Sequence, residues 1–173
     1  MKTTKAIRIV SKPRATPAER AFIVDSLVAY NRKATGYGPI RPVYLFAEDS
    51  NGNVVGGSLG FMWGRWLHVN ILWVAERVRG QDVGGQLLAL AEAKAQRAGC
   101  VGSSLDTYSF QARPFYEKLG YAVFGTLKGR PVGHEQHFLA KRFKLKRAGT
   151  PPRASRSRSL SARTAPGTSR SRD

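Results

Sequence analysis

The chain has 173 residues, 42% of them hydrophobic, and a formal charge of +18 at pH 7. Length and apolar content suit one domain of ordinary size with a real core, plus a tail. No run approaches the roughly 18–20 apolar residues of a membrane span and MKTTKAIRIV lacks the apolar centre of a signal peptide, so the expected location is the cytoplasm, with no membrane partner. Residues 144–173 hold nine Lys or Arg against one Asp, which leaves +10 on residues 1–143. A basic body suits a phosphate-bearing ligand and a nucleic acid equally. The single cysteine, Cys100, excludes an internal disulfide and reads as a packing residue.

In chain order, AIRIV at 6–10 reads as a short first strand. Thr16, Pro17 and Glu19 then supply an N-cap, a first-turn proline and a capping-box acid for a helix reaching about Asn31, with Phe22, Leu27 and Tyr30 turned inward. After the flexible ATGYGPIRP, three runs make an antiparallel meander. They are VYLFAED at 43–49, NVVGGSLGFMWG after an Asn51-Gly52 turn, and a strand from Arg65 to Val74. Gly56, Gly57 and Gly60 weaken the middle strand and point either to a bulge or to a close backbone approach.

The third strand runs into a basic, glycine-bearing turn, Arg79, Gly80, Gln81, Asp82, Val83, Gly84 and Gly85. A helix follows, on which Leu87, Leu88, Ala91, Ala95 and Ala98 recur on one side until Gly99 stops it. A helix N-terminus carries unpaired N–H groups and the positive end of the macrodipole, and glycine lets a phosphate come near the backbone. The stretch therefore reads either as a diphosphate cradle or as tight helix entry against a sheet. CVGSSLDT at 100–107 is a strand parallel to the preceding one through a right-handed crossover, leaving a cleft where the pair diverges. Phe110–Leu119 is a short helix interrupted early by Pro114, and YAVFGTL and EQHFLAKRF close as a hairpin. Residues 144–173 have almost no large apolar side chain and read as a disordered Arg/Ser-rich tail, either solvated without a role or in contact with nucleic acid.

The turn at 79–84 resembles motif A of the GNAT N-acetyltransferases, whose pattern is Arg or Gln, two residues, Gly, one residue, Gly or Ala. Arg79 and Gly84 match its ends, and Asp82 stands where the first Gly is expected. FQARPFYEKLGY at 110–121 is similar to the family's C-terminal motif at its usual spacing. The resemblance covers about residues 5–143 and implies a GNAT domain over 1–143. Its fold is α/β (α+β), a mixed six- to seven-stranded sheet flanked by helices. The implied activity is acetyl transfer from acetyl-coenzyme A to a primary amine, on a small molecule or a protein, in a protein that could form a homodimer. The alternative reading is a non-catalytic coenzyme A-binding or nucleic-acid-binding module on the same fold.

Acetylating an amine requires an ammonium of pKa near 10.4 to lose a proton, at about 4.6 kcal/mol at neutral pH, while the leaving thiolate gains one. A base and an acid are both needed. The resemblance places the acid at Tyr116, whose other reading is an aromatic core residue. Candidates for the base are His68, six residues before Val74 and so expected on its face of the strand, then Glu76, whose other reading is an ion pair with Arg77 or Arg79, then Asp106. The resemblance implies coenzyme binding by the backbone of Trp73 and Val74 and by Arg79 through Gly85, with Tyr116 and with Ser109 at a position where relatives carry asparagine. Tyr30, Asn31 and Tyr37 read as packing residues or, by the resemblance, as acceptor contacts. No metal site is expected.

Overall fold

Alternating apolar and polar residues joined by tight turns dictate a meander, and the computed structural model, which describes residues 7–144, contains it. β1 (Arg41–Glu48), β2 (Val54–Trp63) and β3 (Trp66–Val74) pair antiparallel in sequence. Asp49 builds the first turn, its Oδ1 accepting the N–H groups of Asn51 and Asn53, each at 3.0 Å. A 3-10 turn at Glu76–Val78 and the crossover helix α2 (Val83–Arg97) return the chain to β4 (Gly102–Tyr108), parallel to β3. After α3 (Arg113–Lys118) come β5 (Ala122–Lys128) and β6 (Glu135–Arg142), and the six-stranded mixed sheet has the order β1-β2-β3-β4-β6-β5.

The core lies between one face of this sheet and α2. Leu87, Leu88, Ala91 and Ala95 line one side of the helix and bury against Leu67, Val69, Leu105 and Leu139. Glu92 is buried on that side too. Its two oxygens accept from the Tyr121 hydroxyl at 2.9 Å and from Lys141 Nζ at 2.7 Å, so a satisfied charge ties α2 to β6.

The pairing of β3 with β2 is broken at one point. Leu59 faces Ile71 and Gly60 faces Val69, so Asn70 is an extra residue in β3. A side chain on Gly60 would run into the His68 carbonyl oxygen, which makes glycine the residue the bulge requires. Because side chains alternate with period two, the extra residue exchanges the faces of β3. Leu67 and Val69 point into the core before it, and Leu72 and Val74 do so after it.

Three expectations are corrected. Residues 7–10 form no strand, and Ile9 is 95% exposed, so among the described residues the sheet has the lower of the expected six to seven strands. The helix α1 (Pro17–Thr35) has the predicted Thr16–Glu19 capping box and stops at Gly36 in the left-handed region, but it buries none of its residues. Phe22, Leu27 and Tyr30 are exposed because the helix stands off the sheet, and its apolar residues are spread around its circumference instead of forming one stripe. The last helix begins at Arg113, not Phe110, since Pro114 occupies its first turn, where no N–H is needed. The tail and the nucleic-acid contact assigned to it fall, from residue 145 on, outside the described residues.

Gly60→Ala is expected to lower unfolding stability by about 2–3 kcal/mol, the range for an added methyl that must push backbone aside. Urea denaturation checks this, and a loss below about 0.5 kcal/mol would mean that the bulge relaxes without cost.

Candidate active site

Parallel pairing of β3 with β4 runs from Trp66 with Gly102 to Val69 with Leu105 and then ends. Beyond the bulge β3 stays with β2 while β4 stays with β6, and the two strands part. The gap is a cleft of about 920 Å³, walled by Asn70–Val74 on one side and by Asp106, Thr107 and α3 on the other, with the start of α2 at one end. The backbone of β3 from Asn70 to Val74 thus has one edge without a strand partner, offering N–H and C=O groups to an extended ligand.

The turn into α2 is shaped from within. Arg79 Nε donates to the Val74 carbonyl at 3.1 Å and its Nη1 to Glu76 Oε1 at 3.2 Å, closing the loop on the end of β3. Asp82 is the N-cap with φ of +59°, in the left-handed region, which explains why glycine suits this position. Its side chain makes no capping hydrogen bond, so the first N–H groups of the helix, those of Val83, Gly84 and Gly85, are left for a ligand. The carboxylate packs against Gly85, where any Cβ would collide with it. Gly84 lies against Phe115, whose Cζ would be 3.4 Å from a Cβ there.

On the other wall Tyr116 is 8% exposed, edge-on to Phe115 and Tyr121 at ring separations of 5.1 and 6.1 Å. Its hydroxyl has no hydrogen-bond partner among the described residues and borders the cleft. Burial, and after it the negative charge of Asp106, pushes the Tyr116 phenol above its ordinary value, so it remains a proton donor. Asp106 lines the same cleft, with Oδ2 accepting from Gln136 Nε2 at 2.6 Å. The other end of Gln136, Oε1, is buried without a partner among the described residues.

The structure brings together Trp73, Val74, Arg79, Gly80, Asp82, Val83, Gly84, Gly85 and Tyr116 around this cleft, and Asp106 with them. It does not bring in the others. His68 lies before the bulge, so the face count from Val74 is off by one. Its ring is on the opposite face, Nδ1 at 3.1 Å from Ser104 Oγ and packed on Phe61. Glu76 points to solvent from the 3-10 turn, its side chain 86% exposed and paired with Arg79. Gln81 is exposed in the turn and does not line the cleft. Ser109 Oγ accepts the Glu135 N–H at 3.2 Å, so it fastens the end of β4 to β6 instead of facing the cleft. Gln136 was not legible as a site residue, since its partner is 30 residues away in sequence and only strand pairing joins them.

Helix N–H groups beside glycines at one end, a free strand edge along the side and a buried phenol at the far wall fit a ligand with a diphosphate, an amide-bearing chain and a reactive terminus. Among the described residues no cluster of His, Cys, Asp or Glu could hold a metal ion, and no helix is long and apolar enough to cross a membrane.

The comparisons agree with this geometry. Residues 41–123 match the model of the acetyltransferase (GNAT) domain family. An acetyltransferase of Agrobacterium fabrum is 36% identical over 135 residues, 78% of this chain and 98% of that protein. A blasticidin-S acetyltransferase of Streptomyces morookaense is 38% identical over 104 residues, 60% of this chain and 76% of the relative. The crystal structure of an acetyltransferase from Bacillus cereus, 36% identical, superposes with a TM-score of 0.69 over 78% of this chain and 98% of its own.

The Asp82 carboxylate faces the anion site with its charge unneutralised by any cap bond. Asp82→Gly is expected to tighten coenzyme A binding about three- to tenfold, as one like charge removed at a partly screened distance. Calorimetric titration of both proteins tests this, and unchanged or weaker binding would show that the carboxylate does not oppose the ligand.

Proposed function

Because the chain belongs to the GNAT acetyltransferase family and is an enzyme that transfers acetyl from acetyl-coenzyme A, we propose that its acceptor is a primary amine on a small molecule, attacked directly in the cleft. The observation that carries the reading is the placement of two proton-handling groups, the Tyr116 phenol and the Asp106 carboxylate, on one cleft whose other end is a helix N-terminus. In support of a small acceptor, one relative is named for blasticidin-S and not for a protein.

Acetyl-coenzyme A supplies an activated thioester carbonyl. The N–H groups of Val83, Gly84 and Gly85 hold its diphosphate, and the free edge of Trp73 and Val74 orients its amide-bearing arm and polarises the carbonyl. Asp106, its carboxylate oriented by Gln136, attracts the acceptor ammonium and receives its proton for release to water. The neutral amine then forms the C–N bond as the C–S bond breaks, Tyr116 gives its phenolic proton to the departing sulfur, and the proton shed by the newly acylated nitrogen passes through water to restore the phenol. A raised phenol pKa keeps Tyr116 protonated across the working range. Rate should therefore rise with pH as the acceptor deprotonates, without an alkaline fall caused by Tyr116 below its ordinary pKa of about 10.

Tyr116→Phe is expected to lower kcat about 10²-fold while leaving the affinity for coenzyme A essentially unchanged. Asp106→Asn should raise KM for the amine as well as lower kcat. Thiol release with blasticidin S and a panel of small amines, beside a lysine peptide, reads both variants. A Tyr116→Phe enzyme of undiminished kcat would remove the acid from this scheme, and preference for the peptide would replace the small acceptor by a protein.

A further inference from the structure

Two apolar surfaces of this chain have no cover. All 19 residues of α1 are unburied, and Phe22, Ile23, Leu27 and Tyr30 are 58–74% exposed. On the face of the sheet opposite α2, Tyr44, Phe46, Ile71 and Trp73 are 53–62% exposed. Single exposed apolar residues are ordinary, but a helix with all its large apolar side chains exposed and an aromatic sheet face each call for a partner. The backbone repeats the pattern. Among the described residues β1 is bonded on one side only, and residues 7–10, Ile-Arg-Ile-Val, have β-branched side chains at three of four positions but belong to no strand. A free strand edge and a free strand-forming segment complement each other as the helix and the face do.

We propose that residues 7–35 form an arm exchanged between two copies of this chain. Residues 7–10 add to the free edge of β1 in the other copy, and α1 lies across the face formed there by Tyr44, Phe46, Ile71 and Trp73. A second copy is the occupant because the connection is short and pinned. α1 ends at Gly36 in the left-handed region, and Trp63 Nε1 donates to the Gly38 carbonyl at 3.0 Å. The Tyr37 ring packs against Trp63 at 6.2 Å, beside the Arg41 end of β1. The pin holds the base of the helix at that end of the sheet while α1 buries none of its residues on its own domain, and short hinges invite exchange over folding back. An interface of standard size engages about 20–30 residues a side, which α1 and the segment before it supply. The two-fold arrangement buries both apolar surfaces and both strand edges at once. It also lays the arm of one copy beside Trp73, at the mouth of the other copy's cleft.

Sedimentation velocity on the full chain over a wide concentration range tests the exchange, with amide hydrogen exchange as a second readout. The wild type should sediment at twice its 19.0 kDa chain mass, with protected amides at residues 7–10. Ile23→Asp combined with Leu27→Asp alters positions that no single copy buries, so the domain should fold, sediment as a monomer and lose protection at 7–10. A wild-type monomer at every concentration overturns the proposal, including one whose residues 7–10 are protected by folding back. A double variant that remains dimeric overturns it as well.

Discussion

The extra residue at Asn70, made possible by the missing side chain of Gly60, is the constraint on which the site depends. A regular β3 would continue beside β4 to its end, and no cleft would exist. The bulge keeps β3 in register with β2 while releasing it from β4 after Val69. The opened edge, the cleft and the turn into α2 all result from that departure. Bulges cost ladder hydrogen bonds, and they persist where a strand must be re-aimed.

What the bulge opens, α2 furnishes. The helix is held by its Leu and Ala face and by the buried Glu92, Lys141 and Tyr121 group, so its N-terminus is a fixed donor array and not a mobile loop. The rest of the electrostatics is asymmetric. The N–H groups of Val83–Gly85 and the basic body favour a diphosphate, while Asp82 works against it from the cap position. On the opposite wall, burial keeps Tyr116 protonated, and Gln136 aims Asp106. The phenol and the carboxylate meet only because β4 carries one and leads directly into the helix that carries the other.

Most of the sheet and α2 could be read from local pattern, since alternation over 41–74 and the 87, 88, 91, 95 spacing report burial directly. The turn at 79–85 was legible for the same reason, through glycines beside a helix start. Reading failed where the answer lay in pairing. Gly56, Gly57 and Gly60 signalled a bulge or close approach, but the residue across from it is set by register. His68 was therefore assigned the face of Val74, which a single inserted residue reverses. Glu76 was lost to a 3-10 turn, Ser109 to a bond with the far strand, and Gln136 could not be seen at all. The N-terminal arm misled differently. AIRIV and α1 have correct local signals for a strand and a capped helix, yet nothing in their own sequence says what they pack against.

Calorimetric titration of the full chain with acetyl-coenzyme A, beside coenzyme A lacking its sulfur, at low and at moderate salt, is the most direct test. If the parted strands and the α2 N-terminus form the coenzyme site, both ligands will bind saturably, at about micromolar strength and one per chain, and binding will survive moderate salt. Absence of saturable binding at either salt would contradict the account, because it would mean that the cleft opened at Asn70 does not hold the acetyl donor.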